Sequence, residues 1–270
     1  MIFEKQYINL VSNIIENGER KEDRTGVGTI SLFAPPKFEI YLDEGFPLLT
    51  IRKMPWQNMI KELIWFISGS TNVNDLAKSA QIWWKPWANE NGDLGPIYPA
   101  LWRTWPHGDQ YVIDQLGNLI NGLKNNPTSR RHIISTWHPG EIQNMALPPC
   151  HGLVIQFYVH SKDKLSCFTH QRSADMGLGI VSNIPSYTLL LMMVAQVCNL
   201  IPYRLSYSIG DAHIYSNHVD ILKDVIGKKT FPMPKMEINK EIDNIDNFSF
   251  GDFNLINYQH NEAVKMEIAV

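Results

Sequence analysis

The sequence predicts an α+β fold: a single domain with a large mixed β-sheet packed by helices. Two observations lead there. Strand-like runs come in series, "RHIISTW", "GLVIQFYV" and "KLSCFTHQR", without regular alternation of strand and helix. The most apolar stretch of the chain, "YTLLLMMVAQVCNLI", follows them and reads as a buried helix. A chain of 270 residues is long enough for a full core. No repeat, low-complexity tract or long linker divides it, so one domain is expected over residues 1–270.

In chain order, Tyr7, Leu10, Val11 and Ile14 fall at helical spacing over 4–17, and Gly18 is a common helix terminator. "TISLFA" and "KFEIYL" read as strands. A helix is expected from Pro55 to about Ser68, since proline suits a first turn, and another over 114–125. After the strand series come the apolar helix at about 184–200, the strand "YRLSYSI", a helix from about Ala212, and short strands to the end.

Composition narrows the function. A net charge of −3 gives no global field favouring nucleic acid or an anionic membrane, so anion binding must come from local arginine clusters. The apolar stretch is shorter than the roughly 20 residues of a membrane span and carries Gln196 and Asn199. "MIFEKQYINL" lacks an apolar signal-peptide core, and the three cysteines (Cys150, Cys167, Cys198) are far apart with no C-x-x-C pair. A reducing cytoplasm is expected, or the host-cell cytoplasm for a phage-encoded chain, with neither disulfide nor zinc.

Cys150 in "LPPCHG" reads either as a small buried hydrophobe or as a nucleophile. The nucleophile must be a thiolate, which needs a positive charge or a donor nearby. His151, adjacent on a strand, would face away from it. Arg130 and Arg131 in "SRRH", Arg172 and Ser173 in "QRSAD", and Arg24 in "EDRTG" are ordinary solvated strand ends one by one. Together they suggest a dianion site, and an arginine near Cys150 is expected to lower its pKa. Glu62 lies on a helix apolar on most sides, as a solvated carboxylate or a partly buried one suited to proton transfer. Asn183 is a helix cap by default, or an amide that reads a base edge. His213 and His218 are not at H-E-x-x-H spacing, which argues against a metal.

Taken together, "DRTGVGT", "ELIWFISGSTNV", "NENGDLGPIY", "SRRHIIS", "MALPPCHG", "QRSAD", "SNIPSY" and "GDAHIYSNH" resemble the thymidylate synthase family, in that family's order, from about Tyr7 to the final "IAV". The resemblance implies the thymidylate synthase fold and one-carbon transfer from 5,10-methylenetetrahydrofolate to carbon 5 of dUMP, without a metal. It identifies Cys150 with the nucleophile that adds to carbon 6, and Glu62 with the carboxylate that shuttles protons. Tyr98, Arg172, Asn183 and Asp175 complete the catalytic set it implies. Arg24, Arg172, Ser173 and Gln171 would bind the nucleotide, with Arg130 and Arg131 supplied by the other subunit of a homodimer. Asn183 would read the uracil edge, His213 and Tyr215 the deoxyribose hydroxyl, and His151 would line the same site. Asp175, Trp83, Trp84, Leu178, Gly179, Ser182 and Val270 would hold the folate.

In the family's chemistry, thiolate addition makes carbon 5 an enolate that attacks the folate methylene. Proton loss and expulsion of folate leave an exocyclic methylene. Hydride from folate then gives thymidylate, or water gives a hydroxymethyl nucleotide. The departures concern that last step. Val181 and Ser182 stand where synthases carry Pro-Phe, Trp83 where a smaller aliphatic is usual, Lys85 where an acid is common, Pro99 where glycine is expected, and Gly177 where the family is bulkier. Trp83 filling the volume vacated at Ser182 is one account. A serine that orders water, with a shifted pterin, is the other. Trp84 and the "IAV" tail argue for solvent exclusion and hydride. The expectation is dUMP hydroxymethylation, with thymidylate synthesis as the alternative. A cysteine hydrolase and a non-catalytic nucleotide-binding protein stand further off.

Overall fold

Helix α1 (Phe3–Asn17) buries Phe3, Tyr7, Leu10, Val11 and Ile14 on one face. It stops at Gly18, where a Cβ would lie 2.4 Å from the Ile14 carbonyl oxygen. The computed structural model describes residues 3–22, 26–107 and 111–267. Strands β1 (Glu19–Lys21), β2 (Thr29–Phe33) and β3 (Phe38–Tyr41) follow, then helix α2 (Trp56–Ser68), with Pro55 at its cap and not in its first turn. Next come α3 (Tyr98–Arg103), the hairpin β4 (Trp105–His107) and β5 (Tyr111–Ile113), and α4 (Gln115–Asn125), which Asp114 caps through the Gly117 N–H. Strands β6 (Ile133–Ser135), β7 (Val154–Val159) and β8 (Lys164–Asp175) lead to α5 (Ile180–Val197) and the long β9 (Ile201–Tyr215). Helix α6 (Val219–Ile226) and the pair β10 (Lys235–Ile238) and β11 (Phe253–Ile256) complete the order.

The main sheet runs β1-β2-β9-β8-β7-β6, with β3 also paired to β9. Strands β8 and β9 are parallel, joined by α5, and the other pairs in this sheet are antiparallel. The result is the mixed, helix-packed sheet of an α+β domain. Helix α5 is buried on nearly every side and packs against α2, β8 and β9. Each of its enclosed leucines, such as Leu190, contributes about 2 kcal/mol of apolar burial. The apolar stretch is therefore a central core helix.

The structure corrects three expectations. "YRLSYSI" does not give way to a helix at Ala212: β9 continues to Tyr215, and α6 begins at Val219. The strand in "RHIISTW" covers only Ile133–Ser135. Helix α5 starts at Ile180 with Gly179 as its cap, so Asn183 lies inside its first turn and caps nothing.

Two faces of the sheet differ. Ile155, Phe157 and Cys167 are buried on one, while Ile133, Val154, Tyr158 and Phe168 are exposed on the other. The register Ile133↔Gln156↔Phe168 puts these exposed residues on a common surface.

Candidate active site

Cys150 lies in the loop that enters β7, not on a strand, so the expected strand geometry for His151 does not hold. The loop is fixed at both ends. The Cys150 carbonyl accepts from the Arg172 N–H at 2.8 Å, and the Cys150 N–H donates to the Tyr98 hydroxyl at 2.8 Å. Tyr98 in turn donates to Cys150 Sγ at 3.5 Å. Gly152 has φ +60°, and a Cβ there would lie 1.9 Å from the Tyr187 hydroxyl, so glycine is required by both backbone and space.

His151 stacks on Tyr98 with ring centroids 4.3 Å apart, and its Nδ1 is 2.8 Å from the Tyr187 hydroxyl. Burial pushes its pKa down to about 3, so the ring is neutral and supplies no positive charge to the thiol.

Arg172 reaches back over the prolines. Its Nε donates to the Pro149 carbonyl at 2.9 Å and an Nη to the Pro148 carbonyl at 3.2 Å, and the guanidinium lies 5.5 Å from the Trp137 ring centroid. Its charge and the Tyr98 hydroxyl favour the Cys150 thiolate, but burial outweighs both, and the thiol pKa is raised. The expected lowering by arginine is present, from Arg172, but desolvation is the larger effect within one chain and the net direction is upward.

Glu62, on the second turn of α2, accepts from Trp84 Nε1–H at 2.5 Å. Burial of the carboxylate pushes its pKa up to about 7, and the Trp84 bond opposes that rise. A small cavity is lined by Glu62, His151, Asn183, Ser186, Tyr187 and Trp102, so Glu62 and Asn183 border one space.

Strand pairing collects the remaining polar groups. Ser173 lies beside Asp211, and Asp175 beside His213, across the parallel β8–β9 pair. The His213 Nδ1 is 3.0 Å from the Asp211 carboxylate, which accepts from it and orients the ring, leaving Nε2 for another partner. Tyr215 meets His213 edge-on at 5.3 Å. Asn183 donates through Nδ2 to Gln171 Oε1 at 3.3 Å, and the same oxygen accepts from Tyr207 at 2.5 Å. The Asp175 carboxylate accepts from the Gly177 and Leu178 N–H groups at 2.7 and 3.2 Å, capping the turn into α5 at Gly179. Ser182 donates to the Leu178 carbonyl at 3.3 Å.

Other residues stand apart. Trp83 is half-buried and packs against the core. Arg130 and Arg131 precede β6, opposite the far end of β7 from Cys150. About six residues of strand, roughly 20 Å, separate the two levels. Arg24 and Val270 lie outside the described residues. Tyr187, Tyr207, Asp211 and Trp137 join the site as partners of expected residues. Tyr187, Tyr207 and Trp137 are distant in sequence from the residues they hold, so only the three-dimensional pairing reveals them, whereas Asp211 lies two residues before His213 on the same strand.

The α+β domain thus gathers a tyrosine-bound cysteine, a half-buried glutamate, an in-helix asparagine and a strand-end arginine–serine–aspartate set. A thymidylate synthase family model matches residues 5–270, and the chain belongs to that family. The family carries out folate-dependent one-carbon transfer to dUMP, with methylenetetrahydrofolate as co-substrate, and is generally dimeric.

Proposed function

We propose that this enzyme hydroxymethylates dUMP at carbon 5 through a covalent Cys150 adduct, giving 5-hydroxymethyl-dUMP. Ser182 carries the choice of water over hydride. Its small hydroxyl stands one residue before Asn183, where an aromatic ring is expected. Its proton is committed to the Leu178 carbonyl, and its oxygen retains lone pairs to order a water beside the base. Mass identification of the nucleotide product, with dihydrofolate followed in the same cuvette, tests this.

Cys150 Sγ bonds carbon 6 of the base, with the Tyr98 hydroxyl at 3.5 Å to stabilise the thiolate. Arg172, Ser173 and Arg24 hold the phosphate. With Nδ2 tied to Gln171, the Asn183 amide retains its oxygen and one N–H, which match the N3–H and O4 of uracil. His213 Nε2 and Tyr215 take the sugar hydroxyl, and Glu62 moves protons through the cavity it shares with Asn183 and His151. Folate supplies the one-carbon unit. The half-buried Asp175 carboxylate retains lone pairs beyond its two backbone bonds to accept from a pterin N–H, and Trp83, Trp84, Leu178, Gly179 and Val270 are the further folate contacts of this reading. Thymidylate synthesis is the second reading, favoured by the Trp84–Glu62 bond and by the seating of Met266 in the core, both of which suit a closed, dry site.

The exposed apolar face of the sheet supports a homodimer formed there, in which the partner's Arg130 and the partner's Arg131 complete each phosphate site and add to the positive charge that Arg172 brings to the thiol. The stranded position of this pair in one chain supports the exchange. Phe168→Asp is expected to halve the mass seen by light scattering and to cut activity about tenfold or more, as charge-assisted phosphate bonds are lost. A fully active monomer would contradict the arrangement. The same reading places the enzyme in the cytoplasm, as one catalytic domain over residues 1–270.

A further inference from the structure

Around Gly177, several groups meet that the chemistry above leaves unused. Arg52 is 3% exposed. It donates through one Nη to the Gly177 carbonyl and through the other to Met266 Sδ at 3.6 Å, and its Nε has no hydrogen-bond partner among the described residues. His218 is 1% exposed, and its Nε2 lies 2.8 Å from the Glu267 carbonyl oxygen, so that nitrogen carries the proton and donates. Its Nδ1 is buried without a partner among the described residues.

A Cβ on Gly177 would lie 2.9 Å from His218 Nδ1, 3.2 Å from Met266 Sδ and 3.2 Å from Asp175 Oδ1. The missing side chain is what allows these three to converge. The Gly177 N–H donates to Asp175 Oδ1, so this one residue connects the segment Met266–Glu267 to the carboxylate at the end of β8.

Resting on the folate-dependent reading above, we propose that Arg52 and His218 are positioning residues that seat Met266–Glu267 on Gly177, and that this seating aims the Asp175 carboxylate and sets the affinity for the folate co-substrate. Two buried nitrogens left without partners are a cost that core packing alone would avoid by using apolar side chains. Here their side chains each hold the same short segment.

The test compares His218→Phe and His218→Gln, because the glutamine Nε2–H reaches toward the same carbonyl. His218→Phe is expected to raise KM for methylenetetrahydrofolate about tenfold, the worth of one buried hydrogen bond, while kcat and the Kd for dUMP stay within about twofold. Carboxypeptidase should trim Glu267 and Met266 about tenfold faster, and His218→Gln should restore both values. Arg52→Met gives the same pair of readings if His218→Phe does not fold. Unchanged folate KM and trimming, or a parallel loss of dUMP affinity, would overturn the proposal. The trimming rate judges the clamp even if the wild-type protein shows no folate-dependent turnover, a result that would count against the functional reading instead.

Discussion

Cys150→Ser is expected to reduce turnover by about four orders of magnitude or more, the scale seen when a covalent nucleophile is removed, and to leave dUMP binding nearly intact. The reasoning is geometric. The loop holding residue 150 is fixed by the Tyr98 hydroxyl on its N–H and by the Arg172 N–H on its carbonyl, and neither bond uses the sulfur. A serine therefore keeps the scaffold and loses only the nucleophile, whose alkoxide is far less accessible than a thiolate. Calorimetry with dUMP and a steady-state assay separate the two effects. A variant that turns over at a tenth of the normal rate would remove Cys150 from the covalent step. A wild-type protein that binds dUMP without turnover would make the chain a nucleotide-binding protein.

Glu62→Gln is expected to cost roughly 10²–10⁴-fold in kcat, the usual contribution of a positioned acid–base group. With its pKa at about 7, Glu62 is half ionised near neutrality. Proton loss from carbon 5 needs the carboxylate form, so activity rises as pH increases through about 7, and Glu62→Gln removes that inflection. Trp84→Phe deletes a donor that favours the carboxylate, so the Glu62 pKa climbs and the inflection moves to higher pH. A profile that moves to lower pH in Trp84→Phe, or an inflection that persists in Glu62→Gln, would assign the titration to another group.

Much of this was legible in the residues. Helical spacing ending at Gly18, the all-round apolar helix and the strand series are local signals, and the structure contains each of them. The misreadings share a cause, which is that the same residue serves local and tertiary ends. "GDAHIYSNH" resembles a turn into a helix because glycine and aspartate come together. Yet Gly210 stays within β9, where a Cβ would lie 2.7 Å from the Arg172 carbonyl oxygen, so it is glycine for close strand approach and not for turning. Asn183 has the composition of a cap, but the turn before it is capped by the Asp175 carboxylate, which frees the amide for Gln171. The direction of the Cys150 pKa was not readable from neighbouring arginines, because desolvation depends on what the fold packs around the sulfur. Pairings such as His151 with Tyr187 and Gln171 with Tyr207 likewise exist only once the Cys150 loop, β8, α5 and β9 are assembled.

The measurement that bears most directly on the central claim is a single reaction of the enzyme with dUMP and methylenetetrahydrofolate. Dihydrofolate absorbance is followed while mass spectrometry identifies the nucleotide. The account predicts 5-hydroxymethyl-dUMP with no dihydrofolate formed, and a shift toward methyl product when Ser182→Phe restores an aromatic ring beside Asn183. Thymidylate formed with stoichiometric dihydrofolate would contradict it and make Ser182 a tolerated change in an ordinary synthase pocket.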